Sequence, residues 1–395
     1  MRRLAYLVLG LLSLGGSPAI HAQVTLIGTA TIPSDAADLS GLKGSLADGS
    51  PLNRLGSQGS AIDYSGRGNL YVMASDRGPL DGATDFPVRL HFVSIVVNPN
   101  ARPPVAVTLD STVLLRNGQG ENFVGSNAAL NLVEPSCSLR LDPEGVRFGP
   151  QGTLFVADEY GPSIHEFTAK GQWLRSLPVP QRFRPAAPSV MPEEELPPRN
   201  RAGRQPNRGF EGLAITPRGD KLVAILQSPL IQDGALDGNN KRIGCNIRML
   251  EIDVAKGTSR ELVYPLESPN NGVNEILALD DHNLLVLERD GKSGKAAQFK
   301  KLFRIDLRQA TDISTIEQLP AADLPPGVRP VKKSEFLDFL DPKWGLDASQ
   351  TPEKHEGLAL GPPLPDGRRL LLVSVDNDFL PNVPTTIYAF ACPAK

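Results

Sequence analysis

EGLAITPRGDKLVAILQSPL, Glu211 to Leu230, is a short apolar strand, a polar Pro-Gly turn and a second, more apolar strand. That pattern is a β-hairpin. The chain repeats it. SAIDYSGRGNLYVMASDRGP (60–79), EGVRFGPQGTLFVADEYGP (144–162), EILALDDHNLLVLERDG (275–291) and EGLALGPPLPDGRRLLLVSVDNDF (356–379) follow the same plan. After each hairpin comes a further alternating strand: LHFVSIVVN, SIHEFTA, IRMLEID, KLFRIDL and TIYAFAC. A fourth follows in most units: PVAVTLD, QWLRSLPV, RELVYPL and STIEQLP. Repeated antiparallel four-stranded units are propeller blades. The expected fold is all-β, a propeller of five or six blades, the sixth hidden in 99–140 or 308–353.

The fifth unit ends at Lys395 without a fourth strand. VTLIGTATIP (24–33) resembles QWLRSLPVP, so the mature N-terminus is expected to complete the last blade and cover its edge. Upstream, MRRLAYLVLGLLSLGGSPAIHAQ carries Arg2 and Arg3, a short apolar run and then small residues. It reads as a signal peptide over 1–22, too short to span a bilayer. The mature domain is then 23–395, exported to the periplasm or secreted, with a Pro-rich insertion over 178–207. That insertion reads either as a lid or as a surface loop.

The 395 residues include 37 Gly and 36 Pro, spread as turn residues rather than low-complexity tracts, and the net charge is −3. Nothing in that balance calls for a nucleic-acid partner, and no later segment is apolar enough to cross a membrane. Three cysteines have no zinc spacing. Cys137 and Cys245 are the expected disulfide pair, since both fall on the same face of neighbouring blades.

Innermost strands of a propeller run in one direction along the channel. Glu144, Glu211, Glu275 and Glu356 each head such a strand and are expected at one mouth, with Ser60 in the first blade. The second strand of each hairpin returns to that mouth. It brings Asp76 and Arg77, Asp158, Glu288, Arg289 and Asp290, and Asp376. Arg208, Lys354 and His355 add basic groups. Crowded carboxylates repel unless protonated, paired with arginine or bridged by a cation. Hard oxygen ligands around a ring suit Ca²⁺. The candidate metal ligands are Glu144, Glu211, Glu275, Glu288, Asp290, Glu356, Asp376, Asp158 and Asp76. Glu211, Glu356, His355 and Arg289 are the candidate catalytic residues; Arg77, Arg208 and Lys354 are the candidate substrate clamps. A glutamate opening an inner strand can also bond the backbone of the next blade and hold the ring together. DGATD (81–85) and DGALD (233–237) resemble part of a calcium loop but lack its closing Glu, and read as turns.

NRGFEGLAITPRGDKLVAILQSPLIQDG, NEILALDDHNLLVLERDG and HEGLALG…LLLVSVDND resemble the bacterial phytase-like family, named for an esterase-like activity of phytase. The likeness spans roughly 38–392. It implies a β-propeller, an exported location, hydrolysis of phosphoric or other esters of small molecules, and calcium. Glu211, Glu275, Glu356, Glu288 and Asp290 match the family pattern. Gln227 stands where the family often has glutamate, and the aspartate-rich motifs of true calcium phytases are absent. The expected function is a metal-assisted ester hydrolase acting on phosphate esters at one channel mouth. The alternatives are a non-catalytic, calcium-stabilised binding propeller and a lactonase-like hydrolase.

Overall fold

The computed structural model describes residues 23–394; the expected signal peptide lies outside them. Strand β1 (Thr25–Ile32) opens the chain. The first blade is β2 (Ala61–Tyr64), β3 (Leu70–Ala74), β4 (Arg89–Val97) and β5 (Val105–Leu114). The second is β6 (Pro143–Phe148), β7 (Leu154–Asp158), β8 (Ser163–Phe167) and β9 (Trp173–Ser176). The third is β10 (Phe210–Ile215), β11 (Lys221–Leu226), β12 (Asn246–Asp253) and β13 (Ser259–Pro265). The fourth is β14 (Gly272–Ala278), β15 (Asn283–Arg289), β16 (Lys300–Asp306) and β17 (Lys332–Asp338). The fifth is β18 (His355–Leu360), β19 (Arg369–Val375) and β20 (Thr385–Cys392), completed by β1 in the order β1-β20-β19-β18. β1 pairs antiparallel to β20 from Thr25↔Ala391 to Ile32↔Thr385, so the N-terminal strand closes the ring as expected.

The blades number five; the described residues hold no sixth. Segment 99–140 supplies β5 and bridges the first two blades: Val88 N–H donates to Phe123 O and Trp173 N–H to Arg116 O. STIEQLP (314–320) is not a strand. Its segment crosses to the third blade, where Ile313 N–H donates to Glu261 O and Val331 N–H to Val263 O. Ile313 and Leu319 bury against Val263. This covers the outer strand β13, which would otherwise offer an open edge. The fourth strand of blade four is instead KKSEFLD, β17, within 308–353, one of the two stretches expected to hide a sixth blade.

The core lies between blades. Phe155 and Ile164 of the second blade, Leu213 and Ala224 of the third and Ile276 and Val286 of the fourth share one cluster. Ile62, Tyr71 and Val93 of the first share another with Leu370, Leu372 and Ile387 of the fifth. The glycine of the Glu-Gly pair follows from this inner packing. A Cβ on Gly212 would lie 2.8 Å from Ile276 N of the next blade, and one on Gly145 2.8 Å from Leu213 Cβ. No side chain fits there without moving backbone.

All three cysteines are free, so the Cys137–Cys245 disulfide is not formed. The 178–207 insertion is fixed by buried anchors. Phe183 packs on Phe210 at 5.5 Å between ring centres. Arg204 pairs with Glu195 at 2.5 Å and donates to Tyr160 O. It is a wall that carries Asn207 and Arg208 to the channel mouth.

Candidate functional site

In four blades the inner strand opens with a β-bulge, and one residue there has no partner across the hairpin. The bulges fall at Glu144, Glu211, Asn274 and Glu356. The first blade has none, and Ser60 precedes its inner strand. Bulged residues escape the pleat, and these four side chains turn into one cavity of about 160 Å³ at the mouth. All five blades contribute to its lining.

The register corrects one residue. NEILA aligns by eye with EGLAI at glutamate, but the hydrogen bonds place Asn274 at the ring position and Glu275 at the glycine position. One residue of slip sends a side chain to the other side. Glu275 lies outside the cavity. It is fully buried and ion-paired to Arg147 at 2.8 Å. Its Oε1 accepts from Leu213 N of the neighbouring blade at 3.0 Å and from Ile276 N at 2.9 Å. Arg147 also donates to Ile62 O and Ile276 O. One guanidinium thus ties three blades together in the ring's interior. Glu275 is the glutamate that holds the ring.

Strand alternation sorts the remaining candidates. Asp158 accepts from Asp142 N, Tyr160 N, Gly161 N and Ser163 Oγ, closing a turn. It does not line the cavity; its neighbour Glu159 does. Glu288 faces away from the mouth, accepting from Tyr264 Oη, Asn271 Nδ2, Glu267 N and Lys333 Nζ; Arg289 beside it faces the cavity. Asp290 pairs with Lys300 at 3.0 Å below a loop. His355 also points away. It stacks between Phe339 and Tyr388, and burial pushes its imidazole down to about 3. A neutral, enclosed ring facing another blade is not placed for proton transfer at this cavity. Of the DGALD turn, Asp233 is locked to Arg248 at 2.7 Å.

Asp76, Arg77, Glu144, Arg208, Glu211, Arg289, Lys354 and Glu356 do come together around the cavity. Glu159, Arg242 and Asn274 join them in the lining, and Asp142 lies fully buried behind it, bonded to Arg77. Asp142, Glu144 and Glu159 bring one oxygen each within 4.8 Å of one another. Arg77 donates to Asp142 at 2.7 Å and Glu159 at 3.1 Å. Burial pushes the Glu144 carboxyl well above its usual range, and Asp142, Glu211, Glu356 and Glu159 add to that. Burial likewise raises Glu211, which contacts Glu159. For Glu159 burial acts in the same direction and is the largest single influence, but Arg77, Arg204 and hydrogen bonds with Glu211 and Asp142 together hold it below its usual range. Glu356 is fixed by Arg289 at 2.7 Å.

A second acidic group, Asp76, Asp376 and Asp378, already has a cation. Lys354 Nζ lies 2.7 Å from Asp378 and 3.7 Å from Asp376, whose Oδ2 accepts from Ser57 Oγ. Burial raises Asp76 to about 7 and Asp376 to about 8.

The lining also carries basic groups. Arg208 donates only to neutral groups, Gln227 Oε1 at 2.7 Å and Ser228 Oγ at 3.1 Å. Gln227 in place of an acid therefore leaves this guanidinium without an ion-pair partner among the described residues, Glu211 and Glu159 acting on it only from further away. Burial, with Arg242 nearby, pulls Arg208 down to about 10. Arg242 lines the same cavity, with no carboxylate within ion-pair distance among the described residues. Two half-buried guanidiniums near each other favour an anion between them.

A family model described as "Phytase-like: Esterase-like activity of phytase" matches residues 55–379. An "uncharacterized secreted protein" of Arthroderma benhamiae is 29% identical over 321 residues, covering 66% of this chain and 61% of that protein. This chain thus spans less than two thirds of that relative. Among solved structures, a luciferin-regenerating enzyme matches at 12% identity and a TM-score of 0.37, covering 85% of this chain and 92% of that one. A protein of unknown function from Dyadobacter fermentans matches at 10% identity and a TM-score of 0.37, covering 94% and 100%. Likeness that distant says nothing about the chemistry. No helix among the described residues is long and apolar enough to cross a membrane.

Proposed function

The chain belongs to the phytase-like family, and from that premise we propose that it is an exported, calcium-assisted ester hydrolase acting on small phosphate esters. One observation carries the reading: a single cavity crowds Glu144, Glu159 and Glu211, of which only Glu159 has an ion-pair partner, Arg77, together with Arg208 and Arg242, which have no carboxylate partner among the described residues. That is the pairing of a cation seat with an anion seat.

The acidic cluster fits a hard divalent cation. Oxygens bound to one Ca²⁺ at 2.3–2.6 Å lie within about 5 Å of each other, as those of Asp142, Glu144 and Glu159 do. Glu144 stands among four other carboxylates. The buried Asn274 Oδ1 in the same cavity has no hydrogen-bond partner and suits a neutral fourth arm. Asp142, Glu144, Glu159 and Asn274 would therefore hold the ion, which when bound draws charge from an ester oxygen.

The protein's own groups do the rest. Arg208 and Arg242 seat the phosphoryl oxygens and orient the ester. Glu211, kept protonated by burial, supplies a proton to the departing alkoxide. Glu356, held by Arg289, accepts from the attacking water. Arg77 and Lys354 act behind the site, fixing the acids rather than touching substrate.

The test is release of inorganic phosphate from glycerol phosphate, whose alkoxide needs a proton to leave, with calcium and with EGTA. Activity that falls with EGTA, returns with Ca²⁺ and is lost in Glu211→Gln supports the proposal. Calcium binding with no turnover on phosphate or carboxylic esters would identify a binding propeller instead.

A further inference from the structure

A second cavity, of about 360 Å³, lies outside the charged site. Three short turns, Gly294–Ala296, Pro342–Trp344 and Ala348–Gln350, build its walls against the fifth blade. Gly291 and Glu353 line the charged cavity, while Gly294, Thr351 and Pro352 line this one. The Gly294 N–H to Thr351 O bond, 2.8 Å, stands between them.

The lining is of another kind. Phe339, Pro342, Leu346, Ala348 and Tyr388 give it an apolar surface. The volume far exceeds the gaps of a packed core and falls in the range of small-molecule sites. Leu346 is 41% exposed, so the cavity reaches the surface. At its inner end is His355, 2% exposed, its ring 4.9 Å from Phe339 and 5.7 Å from Tyr388 between centres. His355 Nδ1 has no hydrogen-bond partner among the described residues. A buried polar atom left unpaired is costly, and native structures nearly always supply it a partner. The sequence singles out this histidine as a catalytic group, yet it faces away from the charged site.

We propose that this cavity is a binding site for a small uncharged aromatic alcohol, its ring against Phe339, Leu346 and Tyr388 and its hydroxyl on the His355 imidazole. A hydroxyl suits that ring in either tautomer, since it both donates and accepts. The charged residues of the lining lie at its edge: Asp341 pairs with Lys343 at 2.8 Å, Asp347 accepts from Ser349 N, and Lys295 is exposed to solvent.

The experiment is calorimetric titration of the full mature chain with p-cresol and with toluene, which share a ring and differ by the hydroxyl. Wild type should bind p-cresol one to one and about tenfold more tightly than toluene, the size of one recovered neutral hydrogen bond. His355→Phe keeps an aromatic ring and should erase that preference. Leu346→Lys, at the exposed rim, should weaken both ligands. Should His355→Phe fail to fold, the wild-type imidazole resonances of His355 serve: they should shift with p-cresol at about a tenth of the concentration that toluene requires. Absence of saturable p-cresol binding to folded wild type would overturn the proposal. So would a preference that survives in His355→Phe, or imidazole resonances indifferent to p-cresol. No readout depends on ester hydrolysis, so the two functional readings stand or fall separately.

Discussion

Replacing Glu275 with alanine separates a structural glutamate from a ligand. The change strands the Arg147 guanidinium, 1% exposed and paired to Glu275 at 2.8 Å. It also removes the acceptor of Leu213 N at 3.0 Å. Breaking a buried pair by deleting one partner costs about 3–5 kcal/mol, because the surviving charge stays buried. Unfolding entropy of about 2.1 cal/mol/K per residue, over a domain this long, turns that into a fall of roughly 4–6 °C in Tm. Differential scanning calorimetry in EDTA reads it without interference from metal. Glu275→Met combined with Arg147→Met should recover part of the loss, since no lone charge remains. Calcium affinity of Glu275→Ala, titrated below its Tm, should stay within about twofold of wild type, a change worth under half a kcal/mol. A Tm within 1 °C of wild type together with lost calcium binding would refute the register and return Glu275 to the ring of ligands.

Other perturbations probe the charged cavity. Arg208→Ala should raise KM for a phosphate monoester about tenfold or more, in line with a lost charge-assisted bond, and should leave Tm nearly unchanged; steady-state kinetics checks this. Stability should also depend on pH. Carboxyls raised by burial, Asp76 to about 7 and Asp376 to about 8, bind protons in the folded state that the unfolded chain has released. Stability without calcium should therefore fall as pH rises from about 4 to 8. Burial also raises Asp142 to about 7 and Glu144 well above its usual range, so calcium, which competes with protons for these carboxylates, should restore most at the upper end. Melting curves across that range, with calcium and with EDTA, give the slope; a flat or rising profile in EDTA contradicts the assigned directions.

The architecture was legible because every blade repeats the same period-two hairpin, and because β1 carries the pattern of the strand missing after β20. STIEQLP misled because its alternation reports burial against Val263 rather than pairing with β16; a covering arm and a strand bury the same face. At the site, the turns DEY, ERD and HEG were legible, but not which neighbour points inward. Glu159 rather than Asp158, Arg289 rather than Glu288 and Glu356 rather than His355 follow from strand register, which composition does not encode. The bulge that swaps Asn274 for Glu275 is visible only in hydrogen bonds. Arg242 sits in DGNNKRIG, a loop with no motif, and meets Arg208 only because the insertion before β10 is pinned by Arg204.

The central claim is that one channel mouth seats a divalent cation beside an anion. A crystal structure of the mature chain grown with calcium and inorganic phosphate tests it most directly. The account predicts an ion coordinated by Glu144 and Glu159, and a phosphate bridging Arg208 and Arg242. Both positions empty at millimolar concentrations, with either ligand bound elsewhere or not at all, would contradict it.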